Sequence, residues 1–386
     1  MTHTVVILGA GHAGLPAAHS ILKHQAEKFD LKVVLVSPSD DYYWPIATPR
    51  IIVPNQMADD KIFFHIPKLF EKYPSARFEF VHGKAETWNP DDNAVLVTLN
   101  DGSSRTVEYH TIIVATGSSA QAQMPWKLLD NSKQTRAALD DFRRRVRDAE
   151  SIVIGGAGPT GVEIAGELGS AYAKLGKKSV TLITSNSMVL EDRIMTKVRT
   201  EAMAKLGKLK VNVRTSTRIT NTTEDDDGAT TIQLSHSNGT NESIKADLFI
   251  PSWGLKFNTG FAPASLLEPN GRFKITDKRQ APGYKNTFIV GDVADGEPLQ
   301  IMFAETHVKH VVAALEQYFT GGEIPKYVPR TWSGHVVSVG RDYGAGEVAG
   351  WKLWGWLVWF LKSRHLGTNY APDCAEGKRF VTLGSI

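Results

Sequence analysis

The sequence has almost no cysteine: Cys374 is the one cysteine among 386 residues. One cysteine cannot form an intrachain disulfide or a redox-active cysteine pair. This excludes an internal thiol–disulfide relay as the chemistry of the chain, and we interpret Cys374 as an incidental residue.

Long apolar runs and a strong net charge are also lacking. No apolar stretch reaches the roughly 20 residues that a membrane-spanning helix needs, and the start, MTHTVVILGAG, has neither the charged leader nor the cleavage site of a secretory signal. A formal net charge of +3 gives no reason to expect nucleic acid as a partner. The densest basic run, FRRRVR (142–147), is interpreted as a solvated helix face. We expect a cytoplasmic, non-secreted protein, and no histidine or cysteine spacing predicts a metal site.

Two glycine-rich segments have the same organisation, LGAGHAGLPAAHS (8–20) and GGAGPTGVEIAGEL (155–168). Each follows an apolar strand and opens a helix, and a second apolar strand comes next, LKVVLVS (31–37) or SVTLITS (179–185). The glycines occupy the same three places, Gly9, Gly11 and Gly14 in the first segment and Gly156, Gly158 and Gly161 in the second.

In a strand–turn–helix–strand unit, the first glycine allows the tight turn and the second lets the backbone approach a pyrophosphate. The third lets the helix pack closely on the strand. Free N–H groups at the helix N-terminus favour phosphate. Two such units therefore predict two dinucleotide-binding domains.

A later segment, NTFIVGDVAD (286–295), reads as a strand with Asp292 at its exit. We expect this strand to return to the first unit, so that the second nucleotide domain is an insertion within the first. The sequence predicts an α/β fold with two Rossmann-like three-layer domains and a small C-terminal α+β module. The expected limits are 1–120 with 257–322 for the first domain, 121–256 for the second and 323–386 for the C-terminal module.

These motifs, with IIVATGS (112–118) between them, resemble the two-dinucleotide-domain flavoprotein oxidoreductases, in which the domains have the glutathione-reductase-like arrangement. GPTGVE (158–163) is similar to the version found in type II NADH dehydrogenases and apoptosis-inducing-factor-like proteins. The tail VVSVGRDYGAGEVAG (336–350), followed by KSRHL (362–366), resembles the ferroptosis suppressor subfamily. The resemblance spans nearly the whole chain. It implies FAD in the first domain and NADH or NADPH in the second.

The resemblance also implies cofactor contacts. Beside the six glycines, the candidates are Ser37, Trp44, Pro45, Arg50, Thr116, Gly117, Glu163 and Asp292. Trp44 and Pro45 are expected at the flavin wall, Asp292 at the ribityl hydroxyls and Glu163 near the nicotinamide.

Two strand exits depart from the usual pattern. Ser37 stands where an acid for the adenosine ribose is usual, and Asp40 is the alternative. At the corresponding exit of the second domain, Thr184 and Ser185 carry no carboxylate, which leaves NADH and NADPH both open.

The resemblance implies an FAD-dependent NAD(P)H oxidoreductase that passes hydride from nicotinamide C4 to flavin N5 and then electrons to a quinone-type acceptor. Glu163 would position the nicotinamide, and no acid–base dyad is required. Two alternatives are a flavin-dependent monooxygenase of a small molecule and a redox-sensing, apoptosis-inducing-factor-like interaction protein with slow turnover. His110, His307 and His335 are interpreted as surface or packed residues.

The segment WKLWGWLVWFL (351–361) holds four of the nine tryptophans. A helix of that length is too short to span a bilayer. With Lys352, Lys362 and Arg364 nearby, it suits a peripheral contact with a membrane or lipid droplet. The alternative is that it forms the core of the C-terminal module or a dimer contact, and both monomer and homodimer stay open.

Overall fold

The chain begins with the strand, glycine turn and helix that its first motif predicts. The structure, a computed structural model, describes residues 2–386. The first elements are β1 (His3–Leu8), α1 (Gly14–His24), β2 (Leu31–Ser37), β3 (Asp41–Tyr43), α2 (Thr48–Ile51), β4 (Phe63–His65), α3 (Ile66–Phe70), β5 (Phe78–Asn89), β6 (Ala94–Leu99), β7 (Ser104–Glu108), β8 (Thr111–Val114) and β9 (Ser118–Ala120).

The strands among the next elements form two further sheets. They are α4 (Ser132–Asp148), β10 (Ser151–Gly155), α5 (Pro159–Ala171), β11 (Ser179–Ile183), α6 (Thr196–Lys208), β12 (Asn212–Arg214), β13 (Thr217–Glu224), β14 (Thr230–His236), β15 (Asn241–Ala246) and β16 (Leu248–Pro251). Four strands pair in parallel in the order β12-β11-β10-β16. The remaining three form the antiparallel sheet β13-β14-β15.

The chain then returns to the first domain. The returning elements are β17 (Leu255–Phe257), β18 (Thr287–Ile289) and α7 (Ile301–Thr320). β17 pairs antiparallel with β9, so the outgoing and returning connections run side by side. β18 completes the first sheet, whose order is β18-β8-β1-β2-β5-β6-β7. The predicted α/β fold, with the second nucleotide domain inserted in the first, is confirmed; the residue limits of the domains stay a prediction.

The central strands of the first sheet contain continuous apolar runs, such as residues 5–8 of β1 and 33–36 of β2. Both faces of these runs are covered, as is usual for parallel sheets. Val5 and Ile7 of β1 belong to the cluster beneath helices α1 and α7. Val6 and Leu8 belong to a second cluster on the opposite face. All four are at most 1% exposed. This packing fixes the carboxyl edge of the sheet, where the first glycine turn lies.

The C-terminal module is small and mixed, as predicted. Its elements are β19 (Gly334–Ser338), β20 (Gly344–Val348), β21 (Trp351–Lys352), α8 (Gly355–Val358), a π-helical turn (Trp359–Ser363) and α9 (Ala371–Ala375). The module packs directly on α5: a Cβ added at Gly166 would lie 2.4 Å from the backbone nitrogen of Gly340. Within residues 2–386, no helix has the length and apolar character needed to cross a bilayer.

Candidate functional site

The first glycine turn has two closed positions and one open position. Gly9 has a φ of +100°, and a Cβ added to it would lie 2.5 Å from the carbonyl oxygen of Ala115. A Cβ at Gly14 would lie 1.8 Å from the carbonyl oxygen of Gly9. At Gly11, by contrast, no atom of residues 2–386 lies within 4 Å of the added Cβ. The fold itself therefore requires the outer glycines, while the middle one leaves the backbone open to a ligand.

The second glycine turn repeats this arrangement. Gly156 has a φ of +91°, and a Cβ at Gly161 would lie 1.9 Å from the Gly156 carbonyl oxygen. Around Gly158, the described chain again places no atom within 4 Å of an added Cβ. Pro159 opens helix α5, at the one position of the first turn where a missing N–H costs nothing. Both turns thus fit the pyrophosphate of a dinucleotide.

Asp292 lies beside the first glycine turn. The adjacent Gly291 is so close that its added Cβ would sit 3.3 Å from the Ala13 Cβ. The Asp292 carboxylate accepts hydrogen bonds from Ser118 Oγ at 2.7 Å and from Lys127 Nζ at 3.0 Å. Burial favours the neutral acid, but Lys127 and the Ser118 bond outweigh it and keep the pKa of Asp292 below its usual value. Asp292 is therefore a charged acceptor at the carboxyl edge of the sheet.

His12 is a residue of the first turn that sequence reasoning missed. Its ring centroid lies 5.4 Å from that of Tyr42 and 5.2 Å from that of Trp44. Burial, with help from Lys127, lowers the pKa of His12 to about 4, while Asp292 opposes the shift. Its buried Nε2 has no hydrogen-bond partner in the described chain. An orphaned buried nitrogen beside the open Gly11 fits a bound group that supplies the missing bond.

Trp44 and Pro45, the predicted flavin wall, lie next to His12. Trp44 is fully buried, and its Nε1 donates to the carbonyl oxygen of Leu366 at 3.0 Å. Its ring meets that of Tyr370 edge-on at 5.8 Å. Pro45 begins a short 3₁₀ turn. The C-terminal segment thus holds the indole in place, and its contact with a flavin stays a prediction.

Ser37 closes its own loop. Its Oγ donates to the carbonyl oxygen of Ser39 at 2.8 Å and accepts the Ser39 N–H at 3.2 Å. The alternative, Asp40, accepts a hydrogen bond from Ser132 Oγ at 2.5 Å. Both side chains are therefore engaged with neighbouring protein groups, and the predicted ribose contact is untested for either.

Thr116 and Gly117 lie where the two connections between the domains run side by side. Thr116 Oγ1 donates to the carbonyl oxygen of Asn258 at 2.7 Å, and Asn258 Nδ2 donates back to the Thr116 carbonyl oxygen at 2.9 Å. Gly117, with a φ of +66°, accepts the Asn258 N–H at 3.0 Å. These bonds fix the backbone that the resemblance places near the flavin.

Glu163 lies on the face of α5 that meets the C-terminal module. Its Oε1 forms an ion pair with Lys362 Nζ at 2.6 Å and accepts a hydrogen bond from the Ser338 N–H at 3.1 Å. Its Oε2 accepts no hydrogen bond from residues 2–386. This atom is also not one of the fully buried polar atoms that lack a partner. Glu163 therefore has one oxygen held in place and one free to receive a ligand donor. Lys362, which the sequence suggested only as a membrane contact, is its partner.

Arg50, a predicted cofactor contact, is bonded to three protein residues. Its Nε and Nη2 donate to the two oxygens of Glu167 at 3.1 and 2.7 Å. Nη2 and Nη1 also donate to the carbonyl oxygens of Ser363 and Arg364 at 2.7 and 3.0 Å. Arg50 is 5% exposed. The side chain joins the first domain, helix α5 and the C-terminal module through these four bonds, and its contact with a cofactor stays a prediction.

The interpretation of His307 as a packed residue is confirmed. Its Nδ1 accepts the Gly291 N–H at 3.1 Å and lies 3.0 Å from Arg279 Nη2, while its Nε2 lies 2.5 Å from Glu297. Burial, with the charge of Arg279, lowers the pKa of His307 to about 4 although Glu297 opposes the shift. This neutral imidazole supports the turn that carries Asp292. Among the described residues, no cluster of histidine, cysteine and acidic side chains could hold a metal ion.

Comparison with known proteins agrees with this geometry. A profile of the pyridine nucleotide-disulphide oxidoreductase family matches residues 3–317. The oxidoreductase ptaL of Pestalotiopsis fici is 33% identical over 97% of this chain and 98% of its own. Ferroptosis suppressor protein 1 of Mus musculus is 28% identical over 94% of this chain and 93% of its own. The sulfide:quinone oxidoreductase of Aquifex aeolicus superimposes with a TM-score of 0.77 over 97% of this chain and 92% of its own, at 18% identity.

The family match covers both glycine turns and the Asp292 strand, and the similarity to ferroptosis suppressor protein 1 confirms the resemblance seen in the motifs. The family's description includes disulphide chemistry, which a chain with one cysteine cannot carry out through an internal cysteine pair. The chain belongs to the pyridine nucleotide-disulphide oxidoreductase family, and it is an oxidoreductase whose cofactors are FAD and NAD(P)H.

Proposed function

We propose that this protein oxidises NAD(P)H through FAD and delivers the electrons to a quinone-type acceptor. The observation that supports the proposal most is the pair of glycine turns, each closed at its outer positions and open at Gly11 or Gly158. The FAD supplies the two-electron chemistry. The protein supplies binding, orientation and exclusion of water.

In the first domain, the backbone at Gly11 and the N-terminus of α1 hold the pyrophosphate. Asp292 offers a charged acceptor to the ribityl hydroxyls, and Lys127 keeps that carboxylate ionised. The fully buried ring of Trp44 and the partly exposed ring of His12 beside it limit the access of water to the same wall. Each group is positioned before a ligand arrives, which lowers the entropic cost of binding.

In the second domain, the backbone at Gly158 receives the pyrophosphate of NAD(P)H. Glu163, held through Oε1 by Lys362 and Ser338, keeps Oε2 for the carboxamide N–H of the nicotinamide. Lys362 also donates to the carbonyl oxygen of Val336 at 2.9 Å. The C-terminal module thereby fixes the side chain that orients the reductant.

We further propose that the segment 351–361 meets a membrane surface, where an apolar quinone is dissolved. Trp351, Trp354 and Trp356 are 79%, 69% and 65% exposed. The prediction that this segment forms the core of the C-terminal module is therefore wrong for these three side chains. Three adjacent exposed tryptophans are typical of an interfacial contact.

The two lysines near this segment, which were expected to assist the membrane contact, are paired with acids of the protein. Lys352 pairs with Glu201 at 2.7 Å, and Lys362 pairs with Glu163 at 2.6 Å. Their charges are already balanced within the protein. The apolar surface of the tryptophans, rather than these lysines, is then the main source of affinity for lipid.

The function is tested by anaerobic titration of the FAD-loaded protein with NADH and with NADPH, followed by a panel of soluble quinones. We expect loss of the oxidised flavin absorbance with a reduced nicotinamide and its return on adding a quinone. A protein that takes up no FAD would contradict the proposal. Reduced flavin that reacts with oxygen and hydroxylates a small molecule, but not with quinones, would indicate the monooxygenase alternative. Very slow reduction with a long-lived charge-transfer complex would indicate the redox-sensing alternative.

A further inference from the structure

Trp253 lies directly against the second glycine turn. It follows β16, and the Ser252 before it is bonded to the start of that turn: the Ser252 N–H donates to the carbonyl oxygen of Gly155 at 2.9 Å. Ser252 Oγ lies 2.8 Å from the carbonyl oxygens of both Gly155 and Gly156. The position of Trp253 relative to the turn is therefore fixed by short hydrogen bonds.

The indole explains a glycine that the nucleotide motif does not need. Gly155 precedes the three motif glycines, and its φ is not in the left-handed region. A Cβ added to Gly155 would lie 2.0 Å from Cζ3 and 2.6 Å from Cη2 of Trp253. Gly155 is thus small because the six-membered ring of the indole occupies the space that a Cβ would need.

Trp253 is nevertheless 45% exposed. Its ring lies 5.7 Å from that of Phe249, centroid to centroid, so one edge is packed and the rest is open at the turn. A large apolar ring held rigidly but half uncovered beside an open ligand position is typical of a binding surface.

The strand order tells which end of a dinucleotide reaches this ring. β10 is flanked by β11 on one side and by β16 on the other. The adenosine ribose of a dinucleotide is directed to the exit of the strand that follows the first helix, here β11. With the pyrophosphate at Gly158, the nicotinamide end must then extend in the opposite direction, toward the exit of β16 and Trp253.

We propose that the Trp253 indole forms the wall against which the nicotinamide ring of NAD(P)H packs. This inference rests on the proposed function and adds to it a residue that positions the reductant. Aromatic rings in offset or edge-to-face contact contribute beyond the area that they bury. Gly155 and Ser252 hold the indole for that contact, while Glu163 approaches the same ring from α5.

The test compares two ligands that differ only by the nicotinamide, NAD⁺ and ADP-ribose, on the FAD-loaded protein by isothermal titration calorimetry. Neither ligand reduces the flavin. We expect Trp253→Ala to weaken NAD⁺ about tenfold, corresponding to one aromatic pair, and to leave ADP-ribose unchanged. Trp253→Phe should restore most of the NAD⁺ affinity. Trp332→Ala, at a 39% exposed indole of the C-terminal module, is the matched control and should change neither.

Gly155→Ala provides an independent variant, because its new Cβ must displace the indole without removing it. It should repeat the selective loss of NAD⁺ affinity. Equal losses for both ligands in Trp253→Ala, or no loss for either, would overturn the inference while leaving the proposed function intact. A wild-type protein that binds neither ligand would instead overturn the proposed function itself.

Discussion

Glu163 of helix α5 and Lys362 of the C-terminal π-helical turn form an ion pair with 2.6 Å between Oε1 and Nζ. Their side chains are 9% and 24% exposed. One helical turn further along α5, Glu167 binds Arg50, which also holds the backbone of Ser363. Helix α5, which begins at the second glycine turn, is thus joined twice to the C-terminal module. The helix and the module must therefore move together.

Glu163→Gln should slow reduction of the flavin by NAD(P)H, because a neutral amide holds Lys362 more weakly and no longer offers a charged acceptor. Lys362→Met should have a similar effect through the loss of the same pair. Stopped-flow absorbance with excess NAD(P)H measures the rate. Because the two residues act as a unit, the double variant should be hardly slower than either single variant. Additive losses would show that they act separately, and an unchanged rate in Glu163→Gln would remove this residue from the site.

Arg50→Met should lower the free energy of unfolding by about 3–5 kcal/mol, because it leaves the 2%-exposed Glu167 without its partner. Urea unfolding followed by tryptophan fluorescence measures the loss, and retained FAD is read from the visible absorbance. Arg144→Met is the matched control, since Arg144 pairs with Asp141 at the surface and its loss should lower the free energy of unfolding far less. If both substitutions lower the free energy of unfolding by the same small amount, Arg50 does not join the three parts of the chain.

The glycine turns could be predicted from sequence because their requirement is local. A tight turn, a close approach and a helix packed on a strand fall at fixed intervals along the chain. Backbone atoms close the positions of Gly9, Gly14 and Gly161, and Gly156 is required by its φ of +91°. The parallel strands could be predicted for a similar reason, since strands buried on both faces are apolar throughout.

Other site residues could not be found in this way. Lys127 contacts Asp292 across 165 positions of sequence, and Arg50 contacts Glu167 across 117. Neither pair leaves a periodic pattern in the sequence. The available signal for His12 was weak: a polar aromatic residue inside a phosphate-binding turn. For Arg50, its place in the sequence does not indicate which protein groups its guanidinium contacts, so its bonds to Glu167 and Ser363 could not be predicted.

The open glycines separate ligand binding from folding. Gly158→Ala should fold and retain FAD but lose at least tenfold in affinity for NAD⁺ and ADP-ribose alike, because the new methyl group enters the space of the pyrophosphate and not that of the protein. Gly161→Ala, whose Cβ would lie 1.9 Å from the Gly156 carbonyl oxygen, should instead destabilise the domain. Calorimetric titration and thermal unfolding distinguish the two effects. Full affinity in Gly158→Ala would place the pyrophosphate elsewhere.

Acid should unfold this protein through its buried histidines. Burial, with the charge of Lys72, lowers the pKa of His19 to about 3, and burial with Arg279 lowers that of His307 to about 4. In the unfolded chain both protonate near pH 6.5, so between pH 6.5 and 4 the unfolded state binds more protons and stability falls as the pH falls. Each contributes about 2 kcal/mol of loss by pH 5.

Urea unfolding at pH 7 and pH 5 measures this dependence. The double substitution His19→Gln with His307→Gln removes both groups and should reduce it, leaving the part that His12 contributes through its own lowered pKa of about 4, at the cost of a lower stability at pH 7. His24→Gln, at an exposed position, is the control and should leave the pH dependence unchanged. A double variant that retains the full dependence would assign the acid sensitivity to other groups.

The exposed tryptophans should bring the protein to lipid. In flotation with phospholipid vesicles, the full chain should rise with the vesicles, and the triple substitution of Trp351, Trp354 and Trp356 by serine should remain in the dense fraction. The reason is that these indoles are the most exposed of the five large apolar side chains that the fold leaves uncovered on this segment, the others being Phe360 and Leu361. Interfacial binding scales with the apolar area that enters the headgroup region.

The matched control replaces apolar side chains exposed elsewhere, Val328 and Trp332, which are 78% and 39% exposed. This double serine variant should still float, because its substitutions lie outside the 351–361 segment. If the wild-type protein stays in the dense fraction and sediments as a dimer that the triple substitution dissociates, the segment is a contact between two copies of the chain. Lys362 lies next to this segment and binds Glu163, so flavin reduction should also be measured in the presence and absence of vesicles. A rate of flavin reduction that rises with vesicles only in proteins carrying the tryptophans would link lipid contact to the second glycine turn.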